Sequence, residues 1–162
     1  MSYSLVGWIH IAAAFGALAL GFLNVVMKKG TPLHRFIGIF YVFAMLALNA
    51  AALSIYDMTG HFEIFHAAAI FSLFATLMGL GAAIFRVGDW VRRHYFWMGM
   101  SYFGLLAAAF AETMIRVPMF HVTTVERGFE VSIGASIAFA FLGGVFMRWL
   151  GRSLPPRKPR AA

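Results

Sequence analysis

The amino-acid sequence predicts an all-α fold, a polytopic bundle of transmembrane helices, and three observations carry that reading. The chain of 162 residues is 62% hydrophobic and only 12% charged, against about 45–50% and about 25% in soluble domains. Its mean hydropathy is +0.81. The apolar residues gather in five runs, each near the roughly 20 residues that cross a bilayer as a helix. None of the runs alternates with the period of two that a membrane barrel requires.

The first run, Leu5–Met27, follows no basic segment and is longer than a signal-peptide core, so it reads as a permanent helix. It carries His10, followed on the same stripe by Ala14, Ala17 and Gly21. Small residues there either leave room for a bulky group or let two helices pack closely. The second run, Leu33–Tyr56, opens with His34 and contains Asn49. The third, Phe62–Phe85, contains His66, and the fourth, His94–Val117, opens with His94. Glu112 follows His94 by eighteen residues, five turns at 3.6 residues per turn, so both occupy one face. The fifth run, Phe129–Leu150, has no histidine, and its Gly134, Ala138, Gly143 and Gly144 suggest packing or a homo-oligomer. Residues 1–153 are thus expected to form one transmembrane domain, a four-helix core with a fifth helix. Residues 154–162, basic and proline-rich, read as a disordered tail.

Charge placement orients the bundle. The net charge is +7, and eleven of the thirteen basic residues fall on one side. They are Lys28, Lys29 and Arg35, then Arg86, Arg92 and Arg93, then Arg148, Arg152, Arg157, Lys158 and Arg160. Arg116 and Arg127 lie on the other side, with Asp57, Glu63, Glu112, Glu126 and Glu130. Basic short loops stay in the cytoplasm, which predicts an outside N-terminus and a cytoplasmic C-terminus. The positive charge faces lipid and implies no nucleic-acid partner. Cysteine is absent, which excludes disulfides and thiolate sites.

The candidate site residues are the four histidines. His10 and His66 lie inside the outer ends of the first and third runs. His34 and His94 open the second and fourth at the basic surface, roughly 25 Å away at 1.5 Å rise per residue. Short loops favour an up-down bundle in which first and third helices, and second and fourth, are diagonal partners. Each pair could then hold one cofactor between two imidazoles. Ionisable groups within a bilayer are functional candidates by default, so the deeper pair, His10 and His66, ranks first. Glu112 and Asn49 share its level, and His10, His66 and Glu112 could alternatively hold a metal ion. Arg35, Arg92 and Arg93 flank the inner pair, where they could hold anionic cofactor carboxylates or touch lipid phosphate. His61 and His121 sit in outer loops.

Two resemblances follow from these residues. The stretch His10, Gly16, Gly21, then Lys29-Gly30-Thr31-Pro32-Leu33-His34-Arg35 and Gly38, with Phe65-His66 and Arg92-Arg93-His94-Tyr95-Phe96-Trp97-Met98, resembles a bacterial family of small multi-pass membrane proteins that carries no assigned activity. The order of helix, histidine, basic loop and second histidine is also distantly similar to the ascorbate-linked transmembrane di-haem b cytochromes. That similarity implies two haems, an outer one on His10 and His66 and an inner one on His34 and His94. The chain differs in having five helices instead of six, tighter loops and inner histidines at the surface.

Three functions are therefore open. One is a b-type haem protein, a membrane oxidoreductase passing electrons to a quinone or a redox partner. A second is a metal-binding transporter or sensor built on His10, His66 and Glu112. The third is a non-catalytic scaffold or assembly factor in which the histidines satisfy one another or lipid headgroups.

Overall fold

In the computed structural model, residues 4–56, 60–62, 64–116 and 125–151 are described. They form five helices: α1 (Leu5–Val26), α2 (Pro32–Ala52), α3 (Ile64–Phe85), α4 (Trp90–Arg116) and α5 (Val125–Gly151). There are no strands among the described residues. The proline-rich tail, Asp57, Glu63 and His121 lie outside them.

Local chemistry sets the helix ends at the basic end of the bundle. The Thr31 hydroxyl accepts the His34 backbone N–H at 3.1 Å, and Pro32 occupies the first helical turn. Both are favoured helix starts, because the hydroxyl satisfies an orphan amide and proline has no amide to orphan. Gly30 takes φ +77° to turn the chain between α1 and α2, a conformation that costs glycine little. Lys29 Nζ donates to the Val25 and Met27 carbonyls and closes the end of α1. The segment from Lys29 to His34 is therefore a compact turn whose cap places His34 on α2.

The opening of α4 differs from the sequence expectation. The helix starts at Trp90, so His94 lies more than one turn inside it. Asp89 accounts for the earlier start: its carbonyl accepts the Arg93 amide at 3.2 Å, and its carboxylate meets Arg92 Nε at 3.4 Å. Arg86 ends α3 in a left-handed conformation at φ 52°, its amide donating to the Ala82 carbonyl. At the other end α2 stops at Ala52, four residues short of Tyr56, where the Leu53 amide turns back to Asn49.

The first four helices pack in a ring, each on its sequence neighbours, with α4 closing against α1; α5 lies on α4. Ala17, Tyr41, Met45, Tyr102 and Leu105 form the centre of the core. The outward surface stays apolar: Phe15, Phe22, Phe36, Phe43, Phe71 and Phe141 are all exposed. That inversion belongs to a bundle solvated by lipid, in which close packing and polar contacts hold the helices together. Among the described residues, three helices, α1, α2 and most of α3, are long and apolar enough to cross a bilayer by composition alone. α4 turns Ser101, Tyr102 and His94 to the interior, where its neighbours satisfy them.

The small residues on the first stripe serve packing. Ala17 is fully buried, and a Cβ on Gly21 would overlap the Tyr102 ring. Tyr102 crosses from α4 and donates to the Leu18 carbonyl at 3.4 Å. On α5, Gly143 lies under the Phe103 ring, while Gly134 and Gly144 face open space.

Midway along the bundle three hydroxyls join three helices. Thr76 Oγ1 lies 2.8 Å from the Ser72 carbonyl, Ser101 Oγ 3.0 Å from Thr76 Oγ1, and the Tyr41 hydroxyl 2.7 Å from Ser101 Oγ. A carbonyl can only accept, and each hydroxyl has one proton. Thr76 therefore donates to Ser72, Ser101 to Thr76, and Tyr41 to Ser101.

Candidate functional site

The structure brings the inner histidines together. His34 on α2 and His94 on α4 face each other across the ring of helices, with ring centroids 6.4 Å apart and planes at 85°. Both line a cavity of about 500 Å³ at the basic end, a size within the range of about 300–1,000 Å³ usual for cofactor and ligand pockets. Its walls are mostly apolar, with Gly38, Val42, Leu80 and Met98 among them, and Tyr41 and Tyr102 at its inner side.

The two rings are held differently. His94 Nδ1 lies 2.8 Å from the Gly79 carbonyl of α3. Because the carbonyl accepts, Nδ1 carries the proton, and in the neutral ring Nε2 keeps its lone pair. Glycine at position 79 permits this approach: a Cβ there would come within 2.8 Å of Met98 Cγ and 3.1 Å of the Met98 backbone nitrogen. A histidine fixed by a carbonyl at one nitrogen, with the other available, is the arrangement that surrounds metal-ligating imidazoles. The position of His34 comes instead from the Thr31 cap, and its Nδ1 is buried with no hydrogen-bond partner. Asn24 of α1 adds a second such atom to the same cavity. Its amide nitrogen donates to Leu20, leaving Oδ1 buried and unpaired. Buried polar atoms of this kind are rare in folded proteins, and each calls for a physical account.

Charge at the cavity is positive. Lys29, Arg35 and Arg86 line it, whereas Arg92 and Arg93 do not. Burial pushes the Lys29 ammonium below its usual 10.5. Arg86 donates from Nε to the Ala83 carbonyl at 3.3 Å, and its guanidinium lies 5.4 Å from the centre of the Trp90 ring. Of the three arginines expected to flank the inner pair, Arg35 lines the cavity, Arg92 pairs with Asp89, and Arg93 is exposed.

The outer candidates are placed differently. His66 is 3% exposed, stacked on Tyr56 at 4.5 Å and tilted against Phe62 at 5.2 Å. His10 and Glu112 are half-buried on α1 and α4. Asn49 is buried and donates to the Met45 carbonyl of its own helix at 2.7 Å. Among the described residues no three His, Asp or Glu side chains gather as a metal ion would need, so His10, His66 and Glu112 do not assemble into such a group. His61 is exposed.

Sequence reasoning passed over Gly79, Asn24, Lys29 and Arg86. Asn24 carried a readable signal, since it interrupts an apolar run much as Asn49 does. The Gly79 contact is a backbone carbonyl and has no signature in residue type.

No curated protein and no solved structure matches the chain. Residues 7–151 match the family described as "Predicted membrane protein (DUF2306)". That span takes in all four histidines, the Lys29–His34 turn and the five helices nearly to their ends, and the chain belongs to this family of multi-pass membrane proteins.

Proposed function

We propose that the protein is a b-type haem protein of the bacterial inner membrane, with its basic end in the cytoplasm, and that His34 and His94 are the residues that would hold the haem iron. The observation that supports this most is the spacing of the two rings. An imidazole nitrogen lies about 2 Å from a first-row metal and about 1 Å from its own ring centre, so two axial imidazoles have centres about 6 Å apart. The observed separation is 6.4 Å, across a cavity of about 500 Å³. A haem bound there supplies one-electron redox chemistry.

The chain's own residues divide the remaining work. The Gly79 carbonyl holds the His94 proton on Nδ1 and makes Nε2 the more basic ligand. The Thr31 cap fixes His34 on α2. The mostly apolar walls would limit water around a bound haem, and burial together with ligand hydrogen bonding would tune its potential. This reading moves the favoured site from the outer pair to the inner pair.

The test is a reduced-minus-oxidised spectrum of the full chain produced with ample haem. A six-coordinate low-spin spectrum is expected, lost in His34→Ala and in His94→Ala and retained in His10→Ala and His66→Ala. A wild-type protein without Soret and α bands would end the haem reading. Loss of the spectrum only in the His10 and His66 variants would return the site to the outer pair.

A further inference from the structure

We propose that Arg35 is the carboxylate anchor of the cavity, and that it makes the site selective for a porphyrin carrying free carboxylates over a neutral one. This rests on the haem reading and adds to it the orientation of the ligand, with the acidic edge at the basic end and the apolar body among the helices.

Charge and commitment single out Arg35. Three cations line the cavity, Lys29, Arg35 and Arg86, and no Asp or Glu is among its described lining residues. Lys29 already closes α1 through the Val25 and Met27 carbonyls. Arg86 is bound to Ala83 and lies over Trp90. The Arg35 guanidinium makes no hydrogen bond or ion pair among the described residues, so its five donors are unclaimed. It follows His34 directly in the first turn of α2, and the cap that fixes the ligand fixes the anchor with it.

An apolar pocket with an uncompensated cationic rim fits an amphiphile with anionic groups at one edge. Haem, with two carboxylates on one side of an apolar ring, has that form. A guanidinium binds a carboxylate through two parallel hydrogen bonds, which gives direction as well as attraction. Lys29 and Arg86 add positive potential at the same rim without giving up their own contacts.

The experiment titrates the full chain, purified free of haem in detergent, with haem and with haem dimethyl ester, which keeps the iron and ring and lacks the charges. Wild type, Arg35→Gln and Arg92→Gln are compared; Arg92 pairs with Asp89 outside the cavity. Wild type and Arg92→Gln should bind haem up to about fivefold more tightly than the ester, as a guanidinium–carboxylate pair at an exposed rim provides. Arg35→Gln should lose most of that preference, with ester affinity changed by less than about twofold. The preference should also shrink as salt is raised. A six-coordinate spectrum with both porphyrins, but an Arg35→Gln variant that keeps the preference or weakens both equally, overturns the anchor and leaves the haem reading in place. No such spectrum in wild type with either porphyrin overturns both.

Discussion

Replacing Ser101 by alanine should cost more than replacing Tyr41 by phenylalanine, although both changes delete the same 2.7 Å hydrogen bond. Ser101→Ala also removes the 3.0 Å bond to Thr76, and the direction of donation adds to the difference. Ser101→Ala leaves the Tyr41 hydroxyl, on a residue 2% exposed, as a buried donor without an acceptor. An orphaned buried group costs about 1–3 kcal/mol, while interhelical hydrogen bonds in a membrane protein average about 0.6 and reach about 1.7 kcal/mol. Taken together these place Ser101→Ala near 1.5–2 kcal/mol, roughly. Tyr41→Phe removes a donor but leaves Ser101 donating to Thr76 at 3.0 Å, so only a lone pair goes unused. That change should cost about 0.5–1 kcal/mol. In the double variant no donor is stranded, so its cost should fall at or below that of Ser101→Ala alone, far from the sum. Reversible unfolding in mixed micelles of rising denaturing-detergent fraction, followed by helical circular dichroism at all four corners of the cycle, measures this. Equal costs for the two single changes, or additive costs in the double, would refute the donor order.

Two further outcomes rest on glycines. Gly21→Ala puts a methyl group into the Tyr102 ring and should destabilise the bundle by about 1–3 kcal/mol in the same assay. Gly16→Ala, on the same helix with open space around it, should be neutral or stabilising by up to about 1 kcal/mol; equal losses at both positions would mean that helix contact is not the cause. Gly79→Ala forces Met98 aside and lengthens the 2.8 Å contact between the Gly79 carbonyl and His94. Its haem affinity should fall about tenfold or more while His66→Ala stays near wild type, and an unchanged titration would show that this carbonyl does not support the ligand.

Much of this architecture could be read from residue types, because a bilayer demands long apolar segments and tolerates few alternatives. The starts of α1, α2 and α3 fall within two residues of the apolar boundaries, while α4 and α5 each begin four residues early, α4 because Asp89 recruits Trp90–Arg93 into its first turn. The diagonal relation of α2 and α4 also followed from loop length, and the Tyr41–Ser101 bond joins those two helices. The cavity beside His34 and His94 did not follow. Depth argued for His10 and His66, since burial is costly, whereas a cavity depends on how side chains from four helices leave space at one level. Gly21, Gly38 and Met98 line it, brought together from three helices by tertiary packing. The commitments of Lys29 and Arg86 likewise depend on carbonyls at helix ends, which residue spacing does not reveal.

The hydroxyl row has one more consequence, for the membrane's proton gradient. A file of hydroxyls spanning α2, α4 and α3 has the outward form of a conduction path. Its last member, Thr76, donates to the Ser72 backbone carbonyl, and an amide oxygen has no proton to pass on. A proton handed from Tyr41 to Ser101 would therefore reach a terminus inside the bundle. The row binds three helices together and, because it ends on a backbone carbonyl, offers protons no through-path along itself.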